Sequence, residues 1–225
     1  MSLAARAELE SLLRTRKLDV TLTTTSAHAR DAERLASTGW ARLDEQLGGG
    51  LRRGHLSELI GPRSSGRSAL CGAITAAATA RGEVVAWIDT HDRFDPVSAA
   101  AAGLDLSRLL WVRETGNADR ALKAMNLVLQ AGNFGVVIFD LVDVRGPGLR
   151  RFPHTTWMRL SRVIEGSQTV ALLAGSEHIA RSPGGVTIAL GVPRDGAGQW
   201  VGGSARARRL GGLTISPRVI SAHGW

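Results

Sequence analysis

The chain has 225 residues, 44% of them hydrophobic and 21% charged, which fits one domain with a small appendage and leaves enough apolar material for a substantial core. Its 28 basic and 20 acidic side chains give a net charge of +8, a balance suited to nucleic acid or an acidic protein partner, or one set by codon usage in a GC-rich genome. No apolar run approaches the ~18–20 residues that span a bilayer, and the first residues lack a signal-peptide pattern. The single cysteine, Cys71, excludes an intramolecular disulfide, so the expected compartment is a reducing cytoplasm, with no membrane partner.

In chain order, residues 1–18 read as an amphipathic helix. Leu9, Leu12 and Leu13 share one face, while Arg6, Glu8, Arg14 and Arg16 take the other. A Thr-rich link, Thr21–Thr25, interrupts it, and residues 1–36 are read as helix plus linker. From 37 to 193 the pattern alternates strand and helix. Strands are expected at His55–Ile60, Val84–Asp89, Leu109–Val112, Val136–Leu141, Thr169–Ala174 and Val186–Leu190. Helices are expected at Ser68–Arg81, Pro96–Ala102, Ala118–Ala131 and Thr156–Ile164. Near-continuous apolar strands between helices imply an α/β fold with a largely parallel sheet covered on both faces. Residues 194–225, basic and glycine-rich, read as a hairpin or a flexible tail; Arg206, Arg208 and Arg209 could serve DNA, an acidic partner, or nothing.

Two motifs carry chemistry. Gly61-Pro62-Arg63-Ser64-Ser65-Gly66-Arg67-Ser68 follows an apolar strand and opens a helix. Its spacing is that of a phosphate-binding loop, whose backbone N–H groups and helix N-terminus favour an anion. The position normally held by lysine is Arg67, whose planar fork does not replace a compact ammonium. The second motif, Val136-Val137-Ile138-Phe139-Asp140, is an apolar strand ending in an acid. Asp140 is read either as a relic of a Mg²⁺ water-shell ligand or as a turn acid, the upstream loop favouring the first.

These motifs, with Ser37-Thr38-Gly39-Trp40-Ala41-Arg42-Leu43-Asp44, Gly48-Gly49-Gly50 and Trp87-Ile88-Asp89-Thr90-His91, resemble RecA-type recombinases over about residues 37–191. The resemblance implies a RecA-like P-loop core. It also exposes departures: Arg67 stands for the phosphate lysine and His91 for the catalytic glutamate. Ser98 stands for the adenine-stacking tyrosine and Ser176 for the γ-phosphate-sensing glutamine. Only Ser68 and Asp140 remain as metal-shell groups, so no catalytic residue, metal or cofactor is expected, with ATP and Mg²⁺ binding disfavoured. Without a ligand, Arg67 is expected to fold toward a carboxylate such as Asp140 or Asp89.

The resemblance also implies DNA contact by two loops. The first holds Arg145, Arg150, Arg151 and Phe152, and the second, shorter than the family's, holds Arg181. Within the group, the short chain most resembles the ImuA type of accessory protein, which implies a role in DNA-damage-induced (SOS) translesion mutagenesis. The implied partners are RecA, an ImuB-like Y-family polymerase homologue and an error-prone replicative-type polymerase subunit, with weak single-stranded DNA binding and self-association as further contacts. Two alternatives stay open. One is an active DNA-dependent ATPase using Arg67 with Glu58 or Asp92 as the acid; the other is a division inhibitor resembling SulA.

Overall fold

A computed structural model of the chain describes residues 34–144, 146–149, 151–180, 184–191, 198–204 and 206–221. The amphipathic segment 1–18 and the link Thr21–Thr25 therefore lie outside the described residues.

A short antiparallel pair, β1 (Leu35–Ala36) with β2 (Leu51–Arg52), precedes the main sheet. The polar motif between them has a structural task. The Asp44 carboxylate, on helix α1 (Ala41–Gln46), accepts hydrogen bonds from the Thr38 backbone N–H at 2.8 Å, the Thr38 hydroxyl at 2.8 Å and the Ser37 hydroxyl at 2.7 Å. Gly50, at φ +142°, passes so close to the Ala36 carbonyl that a Cβ there would lie 2.2 Å from its oxygen. Only glycine admits that approach.

The remaining strands are β3 (His55–Ile60), β4 (Val85–Asp89), β5 (Leu109–Arg113), β6 (Val136–Asp140), β7 (Val170–Gly175), β8 (Val186–Leu190), β9 (Gly198–Val201), β10 (Arg209–Leu213) and β11 (Pro217–Ser221). Seven of them form one sheet in the order β11-β8-β3-β7-β6-β4-β5. All its neighbours run parallel except β11, which lies antiparallel to β8 at the edge. The strand and helix alternation read from sequence thus appears with ends shifted by one or two residues, as the α/β parallel architecture requires.

Strand periodicity sorts the core into two layers. Val136 and Ile138 face one side with Leu59 and Leu172, where helix α2 (Arg67–Ala80) supplies Leu70, Cys71, Ile74 and Ala78. Val137 and Phe139 face the other side with Leu173. There α4 (Ala118–Ala131) supplies Met125 and Leu129, and α6 (His154–Ile164) supplies Trp157 and Leu160. Two short helices, α3 (Pro96–Ala101) and α5 (Gly146–Leu149), lie on loops at the C-terminal ends of β4 and β6. Beyond the alternation, β9 and β10 form an antiparallel hairpin that is separate from the sheet.

Cys71 is fully buried, and burial pushes its thiol well above the ordinary cysteine range. We expect native protein to resist modification by a disulfide reagent, with release of the thiol signal only on unfolding. Rapid labelling of folded protein would contradict the burial. No helix among the described residues is long and apolar enough to cross a membrane.

Candidate functional site

The site lies where β3, the central strand, passes into the loop 61–66 and then into α2. Gly61 is needed because a Cβ would meet the Leu190 carbonyl oxygen at 2.7 Å and the Ser65 hydroxyl at 2.7 Å. Gly66 caps the helix in the left-handed region, φ +93°, and Ser64 also has positive φ, +59°. The first helical bond runs from the Leu70 N–H to the Gly66 carbonyl at 2.9 Å. The first-turn N–H groups of Arg67, Ser68 and Ala69 therefore have no partner within the helix and present a positive dipole end. Ser65 is buried with its hydroxyl unpartnered among the described residues. The backbone of this loop suits an anion.

The side chains tell a different story. Arg67 is buried, 4% exposed, and its Nη1 donates to the Gly175 carbonyl at 2.6 Å. That oxygen also accepts the Gly61 N–H at 3.3 Å. The expected carboxylate partner is therefore corrected. Arg67 forms no ion pair with Asp140 or Asp89 among the described residues, because the carbonyl ending β7 lies nearer its reach. Burial lowers the Arg67 pKa from its usual range, and the negative charge of Asp140 works against that fall.

Asp89 and Asp140 are register partners on adjacent strands at the C-terminal edge of the sheet. Asp89 is spent on structure: it accepts the Phe94 N–H at 2.7 Å, the His91 N–H at 3.3 Å and the Trp111 indole N–H at 3.3 Å. Among the described residues Asp140 accepts only the Val142 N–H, at 3.0 Å. Desolvation pushes its carboxyl up to about 6, with Asp89 adding to the rise and Arg67 opposing it. Asp143 draws in two loops through Arg63 at 3.5 Å and Arg93 at 3.4 Å.

Two hollows adjoin the loop. One, of about 360 Å³, lies among Ser68, Trp87, Asp89, Phe94, Ser98 and Asp140. The other, of about 520 Å³, brings Arg63, Arg67, His91, Arg93, Asp143 and Ser176 together. Arg67, His91, Ser176 and Asp140 thus gather around one region, with His91 lining both hollows. Ser98 does not present a ring to the first hollow; its hydroxyl is hydrogen-bonded to Asp95.

The alternative acids are engaged elsewhere. Glu58 is 2% exposed and accepts the N–H groups of Ile179 at 2.8 Å and Ala180 at 2.5 Å, with the His178 ring in contact. Asp92 is held by Arg113 through two bonds of 2.8 and 2.7 Å. The loop backbone accommodates a phosphate, but the side chains do not supply a lysine-like contact or a free carboxylate at the position of His91.

The first candidate DNA loop needs a further correction. Phe152 is 8% exposed and packs edge-on against Trp157, ring centroids 5.8 Å apart, so it belongs to the core. The sequence showed an aromatic in a basic loop, but burial removes its stacking face. Arg151 is exposed and 3.6 Å from Asp119. Arg145, Arg150 and Arg181 lie outside the described residues. An exposed aromatic that sequence reasoning passed over is Trp200 on β9, 57% exposed, with the Arg208 guanidinium 5.0 Å from its ring centroid. Trp200 and Gly198 share a cleft with Arg63, Gly66, Arg67 and Arg93. A tryptophan among arginines in an acid-free segment, residues 196–225, was the available signal.

The sequence model of the RecA N-terminal domain matches residues 19–148. Among relatives, the chain is 40% identical to Protein RecA of Deinococcus radiodurans over 114 residues, 50% of this chain and 31% of that protein. It is 33% identical to Protein RecA of Chloroflexus aurantiacus over 161 residues, 65% and 46% of the two chains. For Protein RecA of Laribacter hongkongensis the identity is 36% over 118 residues, 52% and 33%. The matches span from about a third to just under half of the length of these curated relatives. With a phosphate-type loop on the central strand, an acid ending β6 and a family match over more than half its residues, the chain belongs to the RecA N-terminal domain family.

Proposed function

We propose that the protein is a RecA-family adaptor that does not hydrolyse ATP, an accessory of ImuA type in DNA-damage-induced translesion mutagenesis. The observation that carries this reading is Arg67. Its cation is buried and committed to the Gly175 carbonyl, where hydrolysis would call for a charge free to meet phosphate oxygens. His91 adds to it, since the position lacks the carboxylate that would polarise an attacking water. General-base catalysis of that kind contributes about 10²–10⁴-fold.

On this reading the retained scaffold serves contact. The partners are RecA, whose filament it modulates or inhibits, and an ImuB-like polymerase homologue with its error-prone polymerase subunit. Weak contact with single-stranded DNA falls to the basic surface. There Trp200 offers a stacking face and Arg206, Arg208 and Arg209 are exposed.

A second reading, a working DNA-dependent ATPase, is favoured by the Ser65 hydroxyl and the Trp87 indole N–H, beside the loop and hollow, which have no hydrogen-bond partner among the described residues. One experiment separates the two. Phosphate release is measured with and without single-stranded oligonucleotide, and RecA filament formation is followed with the protein added. The adaptor reading expects no release above background and altered filament formation. Turnover that disappears in Arg67→Ala would establish the second reading instead.

A further inference from the structure

We infer that the groove between α4 and α6 is a docking site for an acidic amphipathic helix of another protein. The groove has a volume of about 390 Å³ and opens between α4 and α6, with the buried Leu160 and half-buried Leu122 in its lining. Leu122, Leu127 and Leu160 line it, and Lys123 and Arg159 stand among them. Leu127 is 65% exposed, and Met158, on α6, is 39% exposed. A single exposed leucine is ordinary on a protein surface. An exposed leucine in a concave apolar groove between two helices is a different feature, since a partner side chain entering it is removed from water on several sides.

Charge chooses the occupant. Nearby cations are neutralised within the chain: Arg120 pairs with Glu114 at 3.3 Å and Arg151 with Asp119 at 3.6 Å. Lys123 and Arg159 pair with no carboxylate among the described residues, and no acid lines the groove. The pattern of apolar floor and free cations complements a helix that carries leucine-like side chains one turn apart and Asp or Glu beside them. A second copy of this chain, at net charge +8, is disfavoured by repulsion. Single-stranded nucleic acid finds cations here but no aromatic face for its bases. The site extends the adaptor reading without depending on it, because nothing in the groove takes part in nucleotide turnover.

The test uses the full chain and two fluorescent synthetic helical peptides with the same Leu and Ala core. One is flanked by Glu and the other by Lys, and anisotropy is read at low and moderate salt. The Glu-flanked peptide is expected to bind at least about tenfold more tightly. Leu127→Glu is expected to weaken it about tenfold or more, through lost apolar contact and added repulsion. The double change Lys123→Glu with Arg159→Glu should reverse the preference toward the Lys-flanked peptide, an outcome that mere loss of folding cannot produce. All three positions are exposed or at a groove rim, so circular-dichroism melts should stay within a few degrees of the parent. The inference is overturned by equal binding of the two peptides, or by charge reversal without a switch. It is equally overturned if oligothymidylate competes at the groove, or if Leu127→Glu acts only by dissociating a dimer in sedimentation.

Discussion

Glu58→Ala is expected to cost about 2–6 kcal/mol of unfolding free energy, the largest effect of any single change near the site. Glu58 sits on the central strand β3, 2% exposed, and its carboxylate accepts two backbone N–H groups from the turn after β7. Thr187 on β8 donates to it at 3.4 Å, and the His178 ring touches it as well. Truncation strands at least two donors in a dry environment, each costing about 1–3 kcal/mol. Glu58→Gln keeps an acceptor oxygen and should cost less than half as much. Urea unfolding of the three proteins measures both. A loss below about 1 kcal/mol for the alanine variant would show that the turn opens to water and satisfies its own donors. The contact also bears on function. The turn at 177–180 follows the strand whose final carbonyl holds Arg67, so one buried carboxylate fastens the segment next to the loop 61–66.

Asp140→Asn is expected to stabilise the protein by about 2 kcal/mol near neutral pH, and by nothing in acid. The folded carboxyl titrates at about 6, whereas an unfolded aspartate titrates near 3.9. The folded state therefore binds the proton more tightly. Stability drawn from that proton is fully present below about pH 4 and is lost as pH rises through about 6. Above that range the parent carries an ionised carboxylate that is poorly hydrated and faces Asp89, while asparagine keeps the acceptor for the Val142 N–H without the charge. A gap of about two pH units between the folded and unfolded carboxyl corresponds to about 2.7 kcal/mol, and partial solvent access trims the figure. Unfolding in urea at a series of pH values from about 4 to 8 should show the two proteins converging near pH 4, drawing apart up to about pH 6 and staying a constant distance apart above it. Parallel curves would mean that Asp140 is neither desolvated nor crowded. Near neutral pH the ionised Asp140 therefore costs the fold stability.

The two variants bracket the candidate site. Glu58 shows an acid fully absorbed into the framework, and Asp140 shows one held in an unfavourable place with a single hydrogen bond among the described residues. Arg67 lies between these extremes, a buried cation hydrogen-bonded to the Gly175 carbonyl. Together they describe a phosphate-loop scaffold in which the backbone still invites an anion and the charged side chains are occupied with one another or with the main chain.

Much of this was legible before folding, because it depends on local pattern. The run Val136–Asp140 is buried on both faces, and so it reads as a continuous apolar strand. The loop from Gly61 to Ser68 carries its identity in glycine spacing, because only glycine tolerates the close approach at 61 and the left-handed cap at 66. What only the tertiary structure decided were the contacts between residues far apart in the chain. Phe152 reads as a loop aromatic until Trp157 buries it, and β11 reads as part of a hairpin or tail until it pairs with β8 across the β9–β10 hairpin. Arg67 carries the same charge whichever neighbour it meets, and its partner 108 residues away is a backbone carbonyl that no side-chain pattern announces. Periodicity and glycine placement record where the chain turns and which face is dry. The destination of a charged side chain depends on which distant groups the sheet order brings within hydrogen-bonding reach.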